Sequence, residues 1–146
     1  MDTILVIEDK ESMLAMLSQT LEGEGYHVVP AKDGAEGIKR LADERIALVL
    51  TDLRLPKKDG FEVLRSVKAD NPLLPVIVMT AYGTIEQAVK AVKEGAYDFL
   101  TKPFDTDHLL VLIKRALDLY RVSTENILLK TEFADKIGLP KIIGKS

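Results

Sequence analysis

IALVLTDLRLPKKDGFEVLRSVKAD, residues 46–70, contains one complete unit of the fold. An apolar run, Ile46–Thr51, ends at an acidic residue, Asp52. A polar turn with Pro56 follows, and behind Gly60 the apolar residues Phe61, Leu64 and Val67 recur at helical spacing. The first run does not alternate with polar residues, so it reads as a strand covered on both faces, as in a parallel sheet packed between helices. The same unit recurs outward in both directions. TILVI (Thr3–Ile7), YHVV (Tyr26–Val29), VIVMT (Val76–Thr80) and YDFLT (Tyr97–Thr101) are the other short runs. Between them lie amphipathic stretches such as Met13, Leu14, Leu17 and Leu21, or Ala88, Val89 and Val92. Five such units in about 120 residues predict a doubly wound α/β domain. Pro30 ends the second run, which suits an edge strand because proline has no N–H to offer a neighbour.

From Thr106 a long last helix is expected, with Leu109, Leu110, Ile113, Ala116, Leu117 and Tyr120 on its apolar face. After Arg121 that stripe thins. The expected division is therefore a domain over residues 1–121 and a linker over 122–146, helical at first and broken by Gly138 and Pro140. Ile113, Ala116, Tyr120 and Ile127 keep heptad-like steps that Ser123 and Lys130 interrupt, a pattern open to a monomeric capping helix and to a dimer helix. Met13, Met16 and Met79 read as core filler.

Composition narrows the function classes. The 146 residues are 47% hydrophobic and 29% charged, which is the balance of a globular chain and not of a disordered one. A net charge of −3 argues against a general nucleic-acid surface, which is usually strongly basic. Without cysteine there are neither disulfides nor thiolate metal sites. No signal peptide or membrane-length apolar run is present, so the cell interior is the expected location, with no membrane partner.

The polar groups that matter sit where the runs end. Glu8 and Asp9 follow the first, Asp52 the third and Lys102 the fifth, while Thr80 closes the fourth. In a parallel sheet all of these positions share the carboxyl edge, where open α/β folds place their ligands. Carboxylates gathered there repel one another and call for a cation. With no cysteine and no suitably spaced histidine, a hard, oxygen-seeking ion such as Mg2+ fits best. An acidic cradle on one side, with the Lys102 ammonium and the Thr80 hydroxyl on the other, can hold a tetrahedral anion beside Asp52. Phosphoryl transfer to an aspartate requires that arrangement.

ILVIEDK, VLTDLRLPKKDGFEVL, VIVMTAYG and YDFLTKPF together resemble the receiver domains of bacterial two-component response regulators, over roughly residues 2–121. The resemblance implies a flavodoxin-like fold with strand order 2-1-3-4-5. It also implies phosphoryl transfer from a sensor histidine kinase, followed by slow self-catalysed dephosphorylation, with no external substrate turned over. Position by position it makes Asp52 the acceptor, and it makes Glu8, Asp9, Asp52 and the carbonyl of Arg54 the Mg2+ ligands. Thr80 and Lys102 become the phosphoryl partners and Phe99 the aromatic switch; many relatives have tyrosine there, so this chain lacks the phenol. The Lys102–Pro103 bond is commonly cis in the family. MTAYGTIEQAVKAVKEGAYDFLTKPFD resembles the sigma-54-dependent, NtrC-type branch, and LPKIIGKS resembles its junction with an AAA+ ATPase. In that branch the last helix and linker often dimerise, and DNA binding resides in another domain.

Each residue taken singly has an ordinary reading. Glu8 or Asp9 can cap a helix, as can Thr84; Lys57 and Lys58 are a solvated turn; His27 and His108 are surface positions. Among competing functions, a haloacid-dehalogenase-type phosphatase would carry a second Asp two residues after the first, where Arg54 stands. A CheY-like stand-alone domain, an OmpR-type regulator and a purely oligomerising domain are the remaining alternatives.

Overall fold

β1 (Thr3–Ile7), β3 (Leu48–Asp52) and β4 (Val76–Thr80) are buried along almost their whole length. β2 (His27–Ala31) and β5 (Asp98–Thr101) are buried only in part. The difference is positional: all pairings are parallel and the order is β2-β1-β3-β4-β5, so the most apolar runs lie inside the sheet. This is the flavodoxin-like order expected above. The computed structural model describes residues 1–136, with side chains as far as Glu125. The expected break at Gly138 and Pro140 and the LPKIIGKS junction lie outside the described residues.

Side chains alternate across each strand and so build two cores. Ile4, Val6, Leu48, Leu50, Ile77 and Met79 face one side, where they meet α1 (Glu11–Gly23) and α5 (Thr106–Lys136). Leu5, Ile7, Val49, Val76 and Val78 face the other, against α2 (Gly34–Asp43), α3 (Gly60–Asp70) and α4 (Ile85–Lys93). Each fully buried Leu or Ile contributes about 1.5–3 kcal/mol of transfer free energy.

Four helix starts have side-chain caps, the last being Asp105, whose carboxylate accepts from the Asp107 amide at 2.9 Å ahead of α5 (Thr106–Lys136). Asp33 accepts from the Glu36 amide at 2.8 Å, Asp59 forms a reciprocal capping box with Glu62, and Thr84 accepts from the Gln87 amide at 3.1 Å. α1 has none, because its N-cap is Lys10. Glu8 and Asp9 therefore stand one or two residues too early to cap, and the bland reading of those acids falls away.

Several expectations need correction. β2 runs through Pro30 to Ala31 instead of ending at Pro30; the proline faces Val6 from an outermost strand, and the Ala31 carbonyl goes on to accept from the Glu8 amide at 3.0 Å. β3 begins at Leu48, not Ile46, and includes Asp52. Met16 is not core: it is 38% exposed, because it falls on the outer side of α1 between Leu14 and Leu17. The heptad reading also changes. Ile113 and Ala116 are fully buried in their own domain and Tyr120 packs against the second core, so these residues are already occupied. Leu119 and Val122 are the exposed apolar residues of that helix portion. Among the described residues no helix is long and apolar enough to cross a membrane.

Leu48 is fully buried where β3 begins, far along the strand from Asp52. Leu48→Ala should lower unfolding free energy by about 2–5 kcal/mol, read from the urea midpoint at unchanged slope.

Candidate functional site

The parallel register brings the strand ends level. Ile7 is opposite Thr51, Asp52 opposite Met79, and Thr80 opposite Thr101. Main-chain bonding continues one residue beyond the paired strands: the Leu53 amide donates to the Met79 carbonyl and the Lys102 amide to the Thr80 carbonyl, both at 2.8 Å. The residues after β3 and β5 are thereby held as extensions of their strands, and the side chains at the strand ends meet at one edge.

Carboxylate oxygens of Glu8, Asp9 and Asp52 lie within 4.8 Å of one another. Glu8 is fully buried, Asp52 is 6% exposed, and Asp9 is open to solvent. Charge there is partly offset by Lys102, whose Nζ donates to Glu8 Oε1 and, at 2.7 Å, to Asp52 Oδ2. Backbone donors complete the shell: the Lys10 amide reaches Glu8 Oε2 and the Arg54 amide reaches Asp52 Oδ1, each at 3.0 Å. Burial pushes the Glu8 carboxyl above its ordinary range, against the lowering effect of Lys102 and the Lys10 amide. Burial would also lower the Lys102 ammonium, but its bonds to Asp52 and Glu8 outweigh that and raise it, so it stays charged.

The remaining residues form the rim. Thr80 is fully buried and its Oγ1 accepts from the Tyr82 amide at 3.2 Å, leaving its own proton free to donate elsewhere. The guanidinium of Arg54 stacks on the Tyr82 ring at 4.3 Å, joining the turn after β3 to the turn after β4. Phe99 is half-buried and packs against the core beneath α2, α3 and α4. The Lys102–Pro103 peptide is cis. Lys57 and Lys58 are exposed and pair loosely with Asp33 and Glu62 at 3.6 and 3.8 Å; His27 and His108 are exposed.

The structure brings Glu8, Asp9, Asp52, Thr80 and Lys102 together. It differs from the sequence reading in one respect. Lys102 does not stand opposite an acidic cradle but lies on it, bridging two of its three carboxylates. Two contributors were not legible as more than punctuation or strand. Gly60 lies so close that a Cβ would fall 2.6 Å from the Asp52 carbonyl oxygen, and Thr51 donates its hydroxyl to that same oxygen at 2.9 Å. An all-oxygen donor set with one fully buried acid fits a hard divalent cation such as Mg2+.

A family model described as "Response regulator receiver domain" matches residues 4–114. The putative NtrX-like response regulator of Rickettsia felis is 37% identical over 138 residues, covering 93% of this chain and 29% of that protein. The transcriptional regulatory protein ZraR of Escherichia coli is 41% identical over 114 residues, covering 78% of this chain and 26% of that protein. Among solved structures, the beryllofluoride-activated NtrC4 receiver domain dimer superposes with a TM-score of 0.78 at 39% identity, covering 82% of this chain and 99% of that one. The chain thus spans less than a third of the length of the curated relatives it matches.

Removing Lys102 leaves Glu8 and Asp52 facing each other with Asp9 nearby. In a chelator, Lys102→Met should cost about 3–5 kcal/mol of unfolding free energy, and saturating Mg2+ should recover much of that loss. Urea titrations with and without the ion measure both.

Proposed function

The chain belongs to the response regulator receiver family, and from that membership we propose that it accepts a phosphoryl group on Asp52 and converts the modification into a signal carried by α5. The observation that carries the proposal is the Asp52 carboxylate at the buried end of β3, with Glu8 and Asp9 within 4.8 Å and the Lys102 ammonium on Oδ2. The likeness over residues 4–114 supports it.

In the proposed reaction an Asp52 oxygen bonds to phosphorus as the P–N bond of a histidine kinase's phosphohistidine breaks. The leaving imidazole nitrogen keeps that electron pair and takes up a proton. Glu8, Asp9, Asp52 and the carbonyl of Arg54 would hold Mg2+, which when bound neutralises charge on the carboxylates and the incoming phosphoryl oxygens. Lys102, already 2.7 Å from Asp52 Oδ2, follows the new phosphoryl oxygens, and the Thr80 hydroxyl donates to one of them. The product carries about −1.5 to −2 charge at that point, so Thr80 and Lys102 are drawn inward with the turns that bear them. Phe99 swings to fill the space behind Thr80; without a phenol it acts by packing alone. The two states differ in contacts to the phosphoryl group, which is what biases their equilibrium.

Residues 1–121 form the receiver unit in this reading, and 122–146 lead on to an AAA+ ATPase and a DNA-binding domain of a sigma-54-dependent, NtrC-type activator. This fragment would bind no nucleic acid itself. The likeness to NtrX-like and ZraR proteins supports that reading, as does the likeness to an NtrC4 receiver dimer. A homodimer through the last helix would use Leu119 and Val122, two of the exposed apolar residues in the described part of α5, and not the occupied Ile113 and Ala116. Arg54 counts against the phosphatase alternative: two residues beyond the acceptor it offers a stacked cation, not an acid.

With acetyl phosphate and Mg2+, the chain should acquire one acid-labile phosphate, and Asp52→Asn should acquire none; retained label in that variant would move the acceptor elsewhere. With beryllofluoride, light scattering should show a change between monomer and dimer mass. An unchanged monomer would remove the dimer from the proposal while leaving the acceptor in place.

A further inference from the structure

The turn after β3, from Leu53 to Asp59, carries the Arg54 carbonyl assigned above to Mg2+, and it is held at both ends. At its base the Gly60 amide donates to the Leu53 carbonyl at 2.8 Å. At its tip Lys57 adopts φ of +70°, the left-handed region that a residue with a side chain keeps only when its surroundings impose it. Those surroundings come from the N-terminus of α2. A Cβ built on Gly34 would lie 1.8 Å from the Lys58 carbonyl oxygen, 2.6 Å from its carbon and 2.8 Å from its Cβ. The partner is chiefly backbone, so no rotamer change could make room.

α2 has no room to retreat on its sheet side. One turn along the same helix, a Cβ on Gly37 would lie 2.3 Å from Cδ1 of Ile7, and Ile7 is fully buried in the strand that ends at Glu8. Two side-chain-free positions at i and i+3 therefore seat α2 simultaneously on β1 and on the acceptor turn. The Lys57–Asp33 pair at 3.6 Å, exposed on its lysine side, adds a weaker tie between the same two segments.

We propose that Gly34 is a positioning residue for the metal-binding turn: its missing side chain lets α2 brace the Lys58 carbonyl and so sets where the Arg54 carbonyl points. The inference rests on the reading that Glu8, Asp9, Asp52 and the Arg54 carbonyl hold Mg2+. A side chain at residue 34 displaces the turn without touching any ligand.

Titration of the whole chain with Mn2+, free ion read by electron paramagnetic resonance, tests both levels. Gly34→Ala should weaken Mn2+ binding by about tenfold or more, the effect typical of losing a group that orients a ligand, with far-UV circular dichroism unchanged. Lys57→Met should weaken it by less than about fivefold. Because alanine at residue 34 also presses on α2, a second variant with a glycine inserted after Lys58 slackens the turn while adding no atom at Gly34. It should lose affinity too. Wild-type affinity in the inserted variant, or in a folded Gly34→Ala protein, overturns the brace while the metal site stands. Absence of Mn2+ binding in the unaltered chain overturns the metal reading, and the brace with it.

Discussion

The structure depends on keeping negative charge at one point of the sheet edge without letting that charge open it. Glu8 is fully buried, Asp52 nearly so, and Asp9 adds a third carboxylate in contact range. Two like charges 4 Å apart repel by about 4 kcal/mol at the effective dielectric of a protein surface, and the cost of burying them unpaired is larger. Lys102 resolves this by donating to both buried acids, and the Lys10 and Arg54 amides occupy the remaining oxygens. Lys102 offsets only part of the charge of the three carboxylates, and its place is replaceable. A divalent cation would take over the neutralisation and free the ammonium for an incoming anion. In the proposed reading, a lysine that holds the place of a cation leaves the site close to the charge distribution that phosphoryl transfer needs.

That arrangement works because the parallel sheet treats its loops as extensions of its strands. The first amides beyond β3 and β5 still donate to the neighbouring strand, and the Glu8 amide donates to the last residue of β2. The turns bearing Asp52, Arg54, Lys102 and Glu8 thus inherit the rigidity of a core packed on both faces. Glycines then let separate segments approach: Gly60 under Asp52, and Gly34 against Lys58. The most exposed part of the edge is the segment after β4, where Tyr82 is open to solvent and joined to Arg54 only by stacking. A proposed switch that draws Thr80 inward would have least to disrupt there.

α5 is the last described element of the domain and divides into two parts. Its first half is core, through Leu109, Ile113, Ala116 and Leu117. Tyr120 packs on the second core, and its hydroxyl accepts from the Asn71 amide group at 3.1 Å, which ties the helix to the turn after α3. The helix continues to Lys136, and its 31 residues span roughly 46 Å at 1.5 Å per residue.

The amino-acid sequence alone determined the number and order of the elements, the carboxyl-edge position of Glu8, Asp9, Asp52, Thr80 and Lys102, and the class of ion they suit. Those follow from local rules: apolar runs without alternation, helical spacing, and residue type at each run's end. Resemblance supplied the strand order. Only the tertiary structure decided that Lys102 bridges Glu8 and Asp52, that Met16 faces outward, that Ile113 and Ala116 are spent on the domain's own core, and that Gly34 packs against the turn after β3. Each of these depends on residues far apart in the chain meeting at a particular distance. A one-dimensional pattern records which residues share a face, but not what lies opposite.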